Sequence, residues 1–177
     1  MFSFVEDKCL NWVVRRAALI TLSYFELNTN ERKSVQKLFS GETNFNIKKA
    51  ILICLIQAPK KTRETVLHEA LCDTDYRVGL FAKFLIDIQS DIKTQLYEIK
   101  NFSRISNKMF IEESYKLLLL RESESIEILD SMRIHLKDRA LRKSPFPYHI
   151  RHRITSTHQY IKDRIRELKL KKKKDKI

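Results

Sequence analysis

A chain of 177 residues with 43% apolar content can bury a core, and its 2 glycines and 3 prolines are too few to punctuate a β-rich fold. Its net charge of +13 is uneven: residues 131–177 hold 16 Lys/Arg against 4 Asp/Glu, and residues 1–130 hold 19 against 18. No apolar run reaches the ~18 residues of a membrane span, and Cys9, Cys54 and Cys72 lack the spacing of a disulfide framework or a zinc site.

The thiols read as buried and reduced, in a cytoplasmic protein, or a nuclear one in a eukaryote. Glu6 and Asp7 stand where a signal peptide would carry basic residues.

The first strong element starts at Asn11 and comes back twice. Asn11 to Leu22 is followed by Asn44 to Leu55 and by Asp73 to Phe84. Val14, Ile47 and Tyr76 correspond, as do Arg15, Lys48 and Arg77, and Ala17, Ala50 and Gly79. A period near thirty residues suits a pair of short helices and a turn. Asn11, Asn44 and Asp73 read as N-caps, because their side-chain oxygens accept bonds from early helix amides. The small residues mark close helix contacts, and Trp12 reads as a core residue.

Partner helices are expected between the copies. One runs from about Glu31 to Phe39 and stops at Gly41. Another runs from a Thr62 cap to Leu71, after Pro59 has ended the preceding helix. With these parts assembled, residues 10–90 resemble the HEAT-repeat family. There the second helix of each pair opens on a capping Asp, then a Val-Arg-like dipeptide, then small and apolar positions. Val14-Arg15, Ile47-Lys48 and Tyr76-Arg77 stand in the dipeptide's place, with Lys48 and Tyr76 as departures. The resemblance implies a right-handed α-α superhelix whose repeats stack through a polar ladder. Arg15, Lys48 and Arg77 are expected to pair with Asn11, Asn44 and Asp73 four positions earlier, which leaves Arg16 and Lys49 free for a ligand. Only Phe2 to Cys9 precedes the first copy, so its first helix is a stub, or a protein partner supplies it at the N-terminal edge.

Asp91 to Asn101 and Ile105 to Arg121 read as a fourth, less regular pair. A basic amphipathic helix follows from Ser125 to Lys143. Pro145 and Pro147 break the chain, and a second such helix runs from Tyr148 to about Leu170. The expected divisions are therefore repeats over 1–125, basic helices over 126–170 packed on them, and a disordered lysine tail over 171–177. The fold class is all-α, with about four HEAT-like helix pairs and basic C-terminal helices.

The basic region points to a polyanion held by sequence-independent electrostatics. Its candidate contacts are Arg139, Arg142, Lys143, Arg151, Arg153, Arg164, Arg166, Lys169, Lys171 and Lys172, with Arg16 and Lys49 from the repeats. Phe146 and Tyr148 are candidate base-stacking residues. His149, His152 and His158 sit among arginines, a setting that opposes a metal cation and favours phosphate or base contact. No catalytic motif, cofactor loop or metal signature is present in the sequence.

The expected function is a non-catalytic scaffold that binds nucleic acid, RNA or single-stranded DNA, without reading sequence and without a membrane. The alternatives are an adaptor or docking subunit whose basic tail only solubilises or targets, and a HEAT-like DNA glycosylase. Helical arrays of this kind also resemble those attached to antiphage, abortive-infection reverse transcriptases, which would place the adaptor in such an assembly.

Overall fold

The computed structural model describes residues 2–102, 105–141 and 146–175, the side chains of Phe2 and 138–141 excepted. Among the described residues there are helices and the turns that join them, with no strand and no helix long and apolar enough to cross a membrane. The chain forms two compact units, residues 1–86 and 87–177. The division falls within a helix.

In the first unit, α1 (Phe2–Glu6) packs on α2 (Trp12–Leu22), and α3 (Thr29–Ser40) packs on α4 (Phe45–Cys54). The second helices of the two pairs, α2 and α4, pack on each other. After a tight turn at Leu55–Gln57 come α5 (Lys60–Leu71) and α6 (Tyr76–Ser90). Leu19, Phe39, Ile47, Ile51, Val66 and Val78 form the buried interior. α1 is five residues long, with Val5 buried.

Caps explain where these helices begin. Asn11 Oδ1 accepts the Val13 N–H (2.9 Å), and Asn44 Oδ1 accepts the Asn46 N–H (2.9 Å). α3 starts earlier than expected, because Asn28 and Glu31 form a reciprocal capping box. α5 starts directly after Pro59, which puts Thr62 inside the helix rather than at its cap. In the third copy the cap is Asp75, which accepts the Arg77 N–H (3.0 Å), not Asp73. Asp-Thr-Asp offers two capping residues, and the chain uses the second. The third copy is therefore displaced by two residues. Val78 is buried where Ile47 is buried, while Tyr76 is 73% exposed. Gly79 now matches Lys48. A Cβ there would stand 3.3 Å from the Leu71 carbonyl oxygen, so the absent side chain lets α6 approach the end of α5.

The buried basic residues find their partners one copy further on. Arg15 Nη2 donates to Glu42 (2.6 Å) and Arg15 Nε to the Val5 carbonyl (2.9 Å). Lys48 Nζ pairs with Asp73 at 2.5 Å. Asn11 and Asn44 are occupied with backbone amides, so the pairs expected inside each copy do not form. Glu42 and Asp73 each stand two residues before the next cap. Arg77 leaves the series: it pairs with its neighbour Asp75 (2.6 Å) and lies over the Phe45 ring (4.8 Å). Trp12, expected in the core, is 42% exposed, and Ala17 is exposed as well. Of the thiols only Cys54 is buried; Cys9 and Cys72 are exposed.

In the second unit, α7 (Ile92–Phe102), α8 (Asn107–Glu113) and α9 (Lys116–Leu120) precede α10 (Ile126–Leu141) and α11 (Tyr148–Lys174). α10 and α11 pack together, α7 packs on α10 and α9 on α11. The single helix expected over 105–121 breaks between α8 and α9. α9 carries Leu117, Leu118, Leu119 and Leu120, and all four are buried, so this short helix is enclosed on every side. Lys116 enters the interior beside them, where Glu98 (2.7 Å) and Glu113 (2.9 Å) receive it. α11 continues through Lys171–Lys174, the run expected to be disordered. No glycine or proline interrupts it, and cations in a last turn complement the helix dipole.

Burial pushes the Glu42 carboxyl up, but the Asn44 amide, the Arg15 guanidinium and the Thr43 amide outweigh it and hold it below its ordinary 4.5. The stability this gives is complete above pH 4.5 and is lost as the pH falls through the lower folded value. Glu42→Gln should cost about 3 kcal/mol at neutral pH by urea denaturation. The loss should shrink in acid; a variant as stable as the parent at neutral pH would contradict this.

Candidate nucleic-acid interface

α11 is long enough to carry two seams. Ile150, Ile154, Thr157, Ile161 and Ile165 recur at steps of three and four residues and are buried. A second seam, Tyr148, Arg151, Thr155, His158, Lys162, Arg166, Lys169 and Lys173, recurs at the same steps around the helix. Its members are exposed, apart from His158 and Lys162, which are half-buried. No acid interrupts it. Asp163 and Glu167 stand on the adjoining flank, at 3.4 Å from Arg166 and 3.3 Å from Arg164. From Arg151 to Lys173 the seam is about 33 Å long at the helical rise per residue.

α10 adds to this charge. Burial first, then the charges of Lys162, Arg133 and Lys137, hold the His158 imidazole below its ordinary 6.5. Arg133 and Lys137 belong to α10, so cations from two helices converge on one histidine. Arg133 also meets Asp130 at 2.8 Å. The His158 Nε2 is enclosed and has no hydrogen-bond partner.

The expected contacts fare differently. Arg151, Arg166, Lys169, Lys171 and Lys172 are exposed on α11. Arg164 is half-buried and is drawn to Glu167 (3.3 Å) and Glu124 (4.0 Å). Arg153 is a correction: it is only 5% exposed, and its Nη1 donates to Ser114 Oγ (3.2 Å). It stands beside Ile154 and one turn before Thr157, on the packed side of the helix. Phe146 is a second correction. It is 5% exposed and tilted against Phe110 (5.2 Å between centroids), which in turn meets Phe102 edge-on (5.4 Å). Tyr148 is 76% exposed, and one face of its ring runs parallel to His152 at 6.2 Å and 16°.

Arg16 is exposed on α2, and Lys49 on α4 lies over the Phe81 ring at 4.8 Å; both belong to the first unit. Arg139, Arg142 and Lys143 lie outside the described side chains. Lys162, Lys173, Arg133 and Lys137 were not among the expected contacts. The outer seam's own three- and four-residue steps were the signal for Lys162 and Lys173, whereas the α10 pair needed the packing of two helices.

Burial pushes the Cys54 thiol up to about 12, so it carries no thiolate at neutral pH. Among the described residues no His, Cys, Asp and Glu gather in a group able to hold a metal. Comparison with known proteins finds no matching family model, no similar curated protein and no similar solved structure.

The unfolded chain takes up the His158 proton before the folded one as the pH falls below 6.5, so this group lowers stability from that point down. An imidazole titration by nuclear magnetic resonance should place His158 below 6.5 and move it upward in Lys162→Gln and in Arg133→Gln. A titration unmoved by either substitution would mean that those charges do not act there.

Proposed function

We propose that the protein is a non-catalytic helical scaffold that holds a nucleic acid by its phosphates along the outer seam of α11. The observation that carries this reading is the acid-free succession of Arg151, Lys162, Arg166, Lys169 and Lys173 on one side of a packed helix. Fixed cations repeated along a rod attract a chain of phosphates and release its counterions, whatever the base sequence. The buried isoleucine seam holds the rod in place, so the lysines and arginines are presented rather than tethered loosely.

The first unit is read as HEAT-like repeats that serve as the scaffold's body. Supporting this are the paired helices α1/α2 and α3/α4 and the two buried rungs, Arg15–Glu42 and Lys48–Asp73, each joining one copy to the next. A second reading, a protein adaptor, rests on the exposed Trp12, Val13 and Val14 of α2. In that case α2 would receive the partner and the cations of α11 would only solubilise.

Fluorescence anisotropy with a labelled oligonucleotide across a salt series separates the two. The full chain should bind with an affinity that falls steeply with salt. The triple substitution Lys162→Gln, Arg166→Gln and Lys169→Gln should reduce the slope of log affinity against log salt by roughly 2 on a single strand. Unchanged affinity and slope in the triple variant would remove α11 from the interface and favour the adaptor.

A further inference from the structure

Tyr148 opens the same seam that the cations continue. Phe146, two residues before it, is buried against Phe110, and Pro147 between them has its φ at −54°. The start of α11 is therefore anchored, and Tyr148 stands on an anchored turn rather than on a loose end. One face of its ring is backed by the His152 imidazole, and the residue is 76% exposed. Arg151 is exposed on the next turn, followed by Thr155 and the lysines and arginines beyond. An exposed aromatic ring backed by a second ring, at the head of a row of cations, has the chemistry of a base-stacking platform joined to a phosphate track.

We infer that Tyr148, backed by His152, is a stacking platform for an unpaired base, and that α11 therefore selects single-stranded nucleic acid over duplex. This rests on the nucleic-acid reading above. A base inside a duplex is already stacked on both faces and offers no ring to Tyr148. A single strand can place a terminal or splayed base on the ring while its phosphates follow Arg151 toward Lys162. Any base serves, since each has a π-face, so the platform adds strand selectivity without sequence selectivity.

The test uses the full chain and three probes of equal length, about 15 nucleotides, suited to such a track. These are a single strand, the duplex of the same sequence, and a strand whose sugars lack bases. Binding is read by fluorescence anisotropy at one moderate salt concentration. The single strand should bind most tightly. Tyr148→Ala should weaken it by about 5- to 150-fold while leaving the duplex and the baseless strand unchanged. Tyr148→Phe, which keeps the ring, should retain most of the affinity; this control and the circular dichroism spectrum show that loss in the alanine variant is not loss of fold. Equal affinity of single strand and duplex, together with an inert Tyr148→Ala, would overturn the platform and leave the phosphate track standing. Failure of all three probes to bind would overturn both.

Discussion

Keeping cations out of an apolar interior is the constraint on which the arrangement of this chain depends. With 35 lysines and arginines in 177 residues, its helices cannot all bury a stripe free of charge. A cation moved out of water costs several kcal/mol unless an anion or several good acceptors receive it. Among the described residues, three inward basic side chains have acidic partners. Arg15 is met by Glu42 and the Val5 carbonyl, Lys48 by Asp73, and Lys116 by Glu98 and Glu113. Residues 1–130 hold nearly as many acids as cations, so such pairs are available there. Beyond residue 131 there are too few acids for the cations present, and the excess has one place to go.

That place is the outside of α11. Its inner seam of isoleucines packs on α10 and α9, and the same three- and four-residue recurrence puts the unmatched cations on another side. Two exceptions show the balance. Arg153 is drawn inward because its position lies beside the isoleucine seam. Arg164 leans on Glu124 and Glu167 at half-burial, an exchange worth at most about 1 kcal/mol in contact with water. On the seam Arg166 meets Asp163 at 3.4 Å, and burial, followed by the charges of Lys162, Arg133 and Lys137, disfavours the protonated form of His158. The proposed interface rests on this concentration of like charge, in which cations outnumber the acids beside them.

Much of the local structure was legible in the residues. Apolar periodicity located most of the helices, and Asn11 and Asn44 announced two caps. The third copy was misplaced by two residues because Asp73 and Asp75 are equally good caps by type, and the choice between them follows from Lys48, which needs Asp73. Residue type alone also misjudged Arg153, Phe146 and Trp12. Whether an arginine is inward depends on whether an acceptor such as Ser114 waits there, and that acceptor is 39 residues away in the chain. That all four leucines of α9 are buried was likewise not legible in the sequence, because it depends on packing around α9 from every side. For the interface, the cations were visible as composition, but the seam joining Tyr148 to Lys173 emerges only when the buried side of α11 is known.

The proposed interface is tested most directly by which residues respond to an added nucleic acid. A nuclear magnetic resonance titration of the full protein with an unlabelled single strand reads this residue by residue. Shifts should gather on Tyr148, Arg151, His158, Lys162, Arg166, Lys169 and Lys173, with Trp12 to Ala17 of α2 unmoved. Shifts confined to α2, or none in α11 at saturating strand, would contradict the assignment of the outer seam as the binding surface.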